Sequence, residues 1–159
     1  MNNWFVNNRE VVRNLAVNTG TSAVPVFTAL CTTSENALTI DTEEKDFYVF
    51  CDAIKRSVLT GAKLTINATV KIDMNNAAIV SMLGDIHTLI TSGEVAQFNN
   101  KLVQFELLED VTGGVLTYTK YEVPVVMKID ELGGAAEDEG EYALELVING
   151  KGTEVSASA

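Results

Sequence analysis

Few residues in this chain could carry out chemistry, and their spacing does not assemble them into a reactive site. His87 is the only histidine, and it follows Asp85 by two residues in a predicted helix, so the two side chains point to different faces. A catalytic triad through this pair and a metal site with two histidines are therefore both excluded within one chain. We interpret His87 as a partly buried histidine whose ring nitrogens are satisfied by neighbours.

Carboxylates are more numerous, but their patterns are also typical of a protein without catalytic function. They cluster at residues 41–46 and 137–141, and neither cluster has the ligand spacing of a calcium-binding loop. We interpret both clusters as solvated acidic loops. Glu106 and Glu122 could form an acid–base pair across two strands, but nothing in the sequence places them in a pocket. The sequence therefore predicts a protein that is not an enzyme and that uses no cofactor.

Length and composition predict one globular domain over residues 1–159, with 47% hydrophobic residues. The 22 acidic residues outnumber the 11 basic ones, and the net charge of −11 repels phosphate. This charge argues against a groove that grips nucleic acid. It suits a solubilising surface or, alternatively, a surface that lies near DNA without binding it. Cys31 and Cys51 are predicted to be buried free thiols.

Two features bear on the cellular location. The apolar runs of the sequence are far shorter than the ~20 residues that are needed to span a bilayer. The N-terminus has no basic start, apolar core or small-residue cleavage site of a signal peptide. We therefore expect no membrane span and no export.

An alternating strand that gives way to an amphipathic helix predicts the fold class. From Leu64 to Ile72 every second residue is apolar and the others are polar, as in a strand with one face on a core. After Asp73 the apolar spacing becomes that of a helical stripe over about residues 75–91, with Asn75 as its N-cap. The stripe consists of Ile79, Leu83, Ile86 and Ile90.

The other patterned segments predict further strands of a mostly antiparallel sheet. The expected strands are residues 23–33, 47–51, 102–109, 115–130 and 142–148. Residues 34–46 are expected to form a polar connection, and residues 52–62 are expected to form a long structured loop. The glycine pair Gly113-Gly114 is typical of a turn between two antiparallel strands.

Both ends of the chain lack the pattern of a core element. Residues 1–22 are interpreted as an N-terminal arm, with a short helix within residues 10–16, that docks on a neighbouring subunit or, alternatively, frays. Residues 150–159 are interpreted as a tail that another chain holds in place.

Three segments, taken in their order along the chain, resemble the tail tube (major tail) proteins of tailed phages and phage-like particles. They are EEKDFYVFCDAIKRSVLTGAKLTINATVKIDMNNAAIVSMLGDIHTLITSG, QFNNKLVQFELLED and LTYTKYEVPVVMKIDELGGAAEDEGEYALELVINGKG. Together they extend from about Glu43 to Gly152. The resemblance is carried by the order of the alternating strand that ends in Lys-Ile-Asp, the single helix after it, and the closing strand that ends in Asn-Gly-Lys-Gly.

This resemblance implies a mainly β, antiparallel β-sandwich or barrel-like tail-tube fold with one flanking α-helix. It implies six-fold rings of identical subunits that stack head to tail around a lumen, through which DNA passes without specific binding. The implied partners are further copies of the chain and the tape-measure, tail-terminator, baseplate and sheath proteins of a virion tail that is assembled in the host cytoplasm. The alternative is a small β-barrel that binds a ligand inside.

The resemblance also suggests roles for particular residues. Contacts between rings are expected from Trp4, Phe5, Lys55 and Arg56. An acidic lumen would let DNA pass without adhesion, and the candidates to face it are Gln104, Glu106, Glu122 and Asp130. The sequence leaves open which polar strand face turns inward. Similar faces also carry the basic residues Lys63, Lys71, Lys120 and Lys128.

Overall fold

The computed structural model describes residues 5–21, 23–30, 33–49 and 53–155. Within these residues the strands are β1 (Val12–Asn18), β2 (Phe27–Ala29), β3 (Thr33–Phe47), β4 (Arg56–Lys71), β5 (Lys101–Thr112), β6 (Val115–Ile129), β7 (Glu141–Ile148) and β8 (Thr153–Val155). The helix α1 (Ala77–Ser92) lies between β4 and β5, and short 3₁₀ turns occupy Asn8–Glu10 and Ala96–Phe98. Trp4, Cys31 and Cys51 lie outside the described residues, so the predictions made for them stay predictions.

The strands form one antiparallel sheet in the order β2-β1-β5-β6-β7-β4-β3, and β8 pairs with β6. The sheet curls on itself, so that β1 and β3, which are not neighbours in the strand order, pack against each other. The inner surfaces of β3 and β4 then face those of β5 and β6 across an open cavity of about 630 Å³, lined in part by Leu38, Leu64, Phe105 and Tyr121. The result is a barrel-like arrangement with α1 against the core.

Alternation places one side of this sheet on the core, as the sequence predicts. In β4 the residues Ile66, Ala68 and Val70 are buried, and β6 and β7 bury Val123, Val125, Met127, Tyr142, Leu144 and Leu146. The opposite side, which we call the outer face, carries the polar residues of each strand. Because the sheet curls, the outer faces of its two halves point away from each other.

The helix is confirmed, with a different start and a shorter buried stripe. Its N-cap is Asn76 and not Asn75, and Gly93 caps its other end in the left-handed conformation with φ 70°. Ala78, Ile79 and Met82 are buried, whereas Ile90 is 74% exposed. The prediction that Ile90 joins the core stripe is therefore wrong, because only the N-terminal half of α1 packs on the core.

Asn76 offers a direct test of how the helix is attached to the sheet. Its Oδ1 accepts a hydrogen bond from the Ala78 N–H at 2.9 Å, and its Nδ2 donates to the Ala29 carbonyl of β2 at 2.9 Å. We expect Asn76→Ala to lower the free energy of unfolding by about 1–2 kcal/mol, since both the cap and the contact to the sheet are lost. The exposed neighbour Asn75 is the control, and urea denaturation should show a change below about 0.5 kcal/mol for Asn75→Ala. Equal losses in the two variants would contradict the assignment.

The N-terminal third differs most from the sequence prediction. The short helix predicted within residues 10–16 is wrong, because β1 occupies that region and buries Val12, Leu15 and Val17. A register shift between Arg13 and Ala16, where Asn14 has φ 53°, breaks the alternation of the strand. The bulge produces apolar residues at a spacing that imitates a helix. Residues 12–18 of the predicted arm are thus a strand of the sheet.

The next two segments are also assigned differently. The strand predicted at residues 23–33 shortens to β2, three residues at the edge of the sheet. Residues 34–46, predicted to be a polar connection, belong to β3, and most of the loop predicted at 52–62 belongs to β4. Of the short strand predicted at 47–51, only Phe47 is in a strand, and residues 50–51 lie outside the described ones. Most residues of these segments are exposed, so burial imposes little alternation that a sequence could reveal.

The C-terminal half follows the prediction more closely. The strands predicted at 102–109, 115–130 and 142–148 are confirmed as β5, β6 and β7 with small changes at their ends. Gly113 and Gly114 have φ values of 59° and 81°, as the tight turn between β5 and β6 requires. The start of the predicted tail folds back on its own chain, since β8 pairs with residues 120–122 of β6.

Candidate functional site

A two-stranded hairpin projects from the sheet. β4 pairs with β7 only through residues 65–71, and β3 pairs only with β4, so residues 42–47 and 56–62 pair only with each other. All described residues from 42 to 62, which we call the hairpin arm, are exposed. A two-stranded hairpin by itself is marginally stable in water. A strand of six residues spans about 20 Å, so the arm reaches well beyond the core.

The hairpin arm carries large apolar side chains in water. Their exposed fractions range from 41% for Val49 to 71% for Ile54, and the set is Phe47, Tyr48, Val49, Ile54, Val58 and Leu59. Single exposed apolar residues are common on protein surfaces, but a concentration of them marks an interaction site. The arm is therefore the strongest candidate for contact with another protein surface.

Polar contacts brace the arm near its tip. Lys55 Nζ lies 2.9 Å from Asp46 Oδ2, and the Ser57 hydroxyl donates to Asp46 Oδ1 at 2.5 Å. The hydrogen bond from Ser57 and then the Lys55 ammonium lower the pKa of Asp46, because both stabilise its carboxylate. Of the residues predicted to contact other rings, Lys55 precedes β4 and Arg56 is its first residue. Phe5 is 94% exposed in the segment before β1.

The residues predicted to face a lumen are only partly brought together. Gln104 of β5 lies directly opposite Glu122 of β6, and Glu106 lies opposite Lys120, all on the outer face. Asp130 follows the last residue of β6 and is exposed at the start of an acidic loop. The outer face thus holds three of these four residues, and it also holds the lysine Lys120.

Glu106 is not a free carboxylate. It is 4% exposed and accepts hydrogen bonds from Arg13 Nε at 2.8 Å and from Asn14 Nδ2 at 2.7 Å. The Arg13 guanidinium also lies 3.4 Å from the centre of the Tyr118 ring, an arrangement that favours a cation over an aromatic face. The sequence prediction missed Arg13, because the bulge in β1 hid the strand that carries it.

Tyr118 extends this cluster to the N-terminal segment. Its hydroxyl donates to Glu10 Oε2 at 2.9 Å. Desolvation and this hydrogen bond raise the pKa of Tyr118 above its ordinary value, because both favour the neutral phenol. The cluster therefore fastens β1 and the turn before it to β5 and β6.

Features that would indicate catalysis do not appear at these surfaces. His87 is exposed on α1, so the prediction that it is partly buried is wrong. Glu106 and Glu122 do not form an acid–base pair in a pocket, since Glu106 is bound to Arg13 and faces Lys120. Among the described residues, no three His, Cys, Asp or Glu side chains are grouped closely enough to hold a metal ion. The described part of the chain also has no helix long and apolar enough to cross a membrane.

Solved structures with a similar fold come from tail tubes and related particles. The SPP1 tail tube matches with a TM-score of 0.57 and 10% identity, over 91% of this chain and 76% of that chain. The tail of an empty gene transfer agent particle with C6 symmetry matches with a TM-score of 0.54 and 12% identity, over 96% of this chain and 100% of that chain. The chain has the tail-tube fold. The prediction of a mainly β tail-tube fold with one helix is confirmed.

The tail-tube fold extends across almost the whole chain. The baseplate structure of the anti-feeding prophage also matches, with a TM-score of 0.50 and 12% identity over 98% of this chain and 97% of that chain. No protein-family model matches the sequence, and no curated protein matches it significantly. The likeness to tail tubes therefore rests on the tertiary structure. Sequence identities of 10–12% support a shared fold and nothing further.

Proposed function

We propose that this chain is the structural subunit of a phage or phage-like tail tube, in which hexameric rings stack head to tail around a channel. The observation that carries the proposal is the hairpin arm, which exposes apolar residues at one end of a chain with the tail-tube fold. Exposed apolar side chains are unfavourable in water and do not stabilise a monomer, whereas contact with a neighbouring subunit would bury the same residues.

In this proposal the arm of one copy contacts a different surface on a copy in the next ring. Such head-to-tail contacts repeat along the tube, because each copy keeps a free arm and a free receiving surface. We assign Lys55 and Arg56 at the tip, together with the segment around Trp4 and Phe5, to contacts between rings. The proposed partners of the assembled tube are the tape-measure, tail-terminator, baseplate and sheath proteins of a virion tail. Assembly is proposed to take place in the host cytoplasm.

The channel wall in this proposal is an outer face of the sheet. Gln104 and Glu122 of β5 and β6 would line it, with the buried Glu106 behind them and Asp130 at the rim. DNA would pass without specific binding. The protein acts as structure and not as an enzyme, a role that the named tail-tube structures support.

Electron microscopy of the purified chain tests the proposal. Rings with six-fold symmetry, or tubes built from them, are expected in negative-stain images as the protein concentration rises. A particle that stays monomeric at high concentration, with tail-tip initiator proteins present, would overturn it. The same experiment separates the tail tube from the alternative of a ligand-binding barrel, which has no reason to polymerise.

The charged tip of the arm gives a more specific prediction. We expect Lys55→Glu together with Arg56→Glu to leave a folded subunit that no longer elongates into tubes, because two cations are replaced by two anions at the contact between rings. The control is Lys128→Glu with Lys151→Glu, which changes the net charge equally outside the arm. Tubes of normal length in micrographs of the arm variant would contradict the assignment of Lys55 and Arg56 to contacts between rings.

A further inference from the structure

Outside the hairpin arm, the basic residues of the outer face have a common arrangement in the sheet register. Each of the five faces a carboxylate directly across a neighbouring strand, and the pairs are Arg13–Glu106, Lys63–Asp41, Lys71–Glu141, Lys120–Glu106 and Lys128–Glu145. Side chains that are directly opposed have Cβ atoms about 4.5–5.5 Å apart, so each carboxylate is within reach of its cation. The five cations thus lie opposite four carboxylates, with Glu106 between Arg13 and Lys120. Of these pairs, Arg13 and Glu106 form an ion pair.

We propose that these cross-strand carboxylates mask the basic residues of the outer face from the phosphates of DNA. The masking deepens the function proposed above, on which its biological role rests, because a channel wall must not capture the DNA that moves along it. The pairs lie on both halves of the curled sheet, so the masking holds whichever half lines the channel.

Two contacts show the masking at atomic distance. Glu106 Oε2 lies 2.8 Å from Arg13 Nε, and the Glu106 side chain is only 5% exposed, so the carboxylate is held in place beside the cation. Lys71 lies opposite Glu141 in the register, and its Nζ lies 3.1 Å from Oε2 of Glu139, which precedes β7. A phosphate that approached either cation would compete with a carboxylate already beside it and would be repelled by that carboxylate.

The excess negative charge of the chain lies elsewhere. The loop between β6 and β7 exposes Asp130, Glu131, Glu137, Asp138 and Glu139 and contains no basic residue. Among the described residues, none of Glu131, Glu137 and Asp138 forms an ion pair. General repulsion of DNA by the net charge and local masking on the outer face can therefore be separated by mutation.

The test compares two triple variants that lose the same charge. The unmasked variant is Asp41→Asn, Glu141→Gln and Glu145→Gln, which leaves Lys63 and Lys128 without their opposed carboxylates and leaves Lys71 with Glu139 alone. The control is Asp138→Asn, Glu131→Gln and Glu137→Gln in the acidic loop. All six residues are exposed or half-buried. Binding of each unassembled protein to short double-stranded DNA at low salt is measured by fluorescence anisotropy.

Masking predicts that the unmasked variant binds DNA at least about tenfold more tightly than the control, with a salt dependence steeper by about 0.9 for each phosphate neutralised. The control is expected to bind no better than the unchanged protein. Adding Lys63→Gln, Lys71→Gln and Lys128→Gln to the unmasked variant is expected to abolish the gain. Equal binding by the two triple variants, or no gain in the unmasked one, would overturn the proposal.

Two further measurements keep the outcomes distinct. Thermal unfolding checks that both triple variants are folded. If the unmasked triple variant is not folded, Glu145→Gln alone, which removes the carboxylate opposite Lys128, replaces it. Masking is then overturned if this single variant binds DNA no better than the unchanged protein. Tube formation is scored separately by electron microscopy. Failure to form tubes would overturn the proposed function and leave the masking result standing, whereas tubes with no selective gain in DNA binding would overturn masking alone.

Discussion

Two aspartates placed on the hairpin arm, Ile54→Asp with Leu59→Asp, are expected to abolish tube formation and leave the subunit folded. The two side chains are 71% and 63% exposed, so their replacement should change the free energy of unfolding by less than about 0.5 kcal/mol each. In a tube the same positions would be buried against a neighbour, and an unpaired ion there costs several kcal/mol. A loss of about 4 kcal/mol per contact weakens association roughly a thousandfold.

The chain provides a closely matched control for this variant. Ile90 on α1 and Val115 at the start of β6 are 74% and 65% exposed, so Ile90→Asp with Val115→Asp adds the same charge at similar exposure outside the arm. Both proteins are compared by thermal unfolding and by negative-stain microscopy at matched concentration. Tubes from the arm variant, or loss of tubes in both variants, would show that the arm has no special part in assembly.

The second large effect is expected at Glu106 and Arg13. Removal of Arg13 leaves the buried Glu106 carboxylate without its counter-charge. Removal of Glu106 leaves Arg13 without its counter-charge, but the Arg13 side chain is 38% exposed and stays partly solvated. We expect Glu106→Ala and Arg13→Ala each to lower the free energy of unfolding by about 2 kcal/mol. The double variant should lose less than the sum by about 1 kcal/mol or more, because the two changes remove one shared interaction.

Urea denaturation measures this cycle most cleanly in a chain that does not polymerise, and the Ile54→Asp, Leu59→Asp variant is expected to be one. Glu145→Gln, a change at a half-buried carboxylate of the outer face, serves as the control and should cost less than about 0.5 kcal/mol. Strict additivity of the Glu106 and Arg13 effects would contradict their coupling. It would also mean that β1 is held to β5 by its backbone pairing and apolar contacts alone.

The elements that could be predicted from sequence are those that burial constrains. β4, β6 and β7 alternate because one side of each strand packs on the core, and α1 follows its stripe for as long as it contacts that core. Where burial ends, the pattern ends too. Ile90 continues the helical spacing but is exposed, and the paired strands of the hairpin arm have no alternation to reveal them.

The candidate site follows the same division. Lys55, Arg56 and the carboxylates of β5 and β6 were named from the sequence, because the order of segments resembles tail tube proteins. The partners of these residues were not predictable. Arg13 meets Glu106 from a strand 93 residues away along the chain, and only the register of the folded sheet brings the two together.

By itself, the sequence determined the class of the protein: mainly β with one helix, strongly acidic and poor in catalytic residues. These properties depend on composition and on local periodicity, which a chain carries in any conformation. Only the tertiary structure decided that the long polar segments pair into a projecting arm and that each basic residue of the outer face outside this arm lies opposite a carboxylate. Both depend on pairing between strands that are distant in sequence, and local propensity does not encode the register of such pairs.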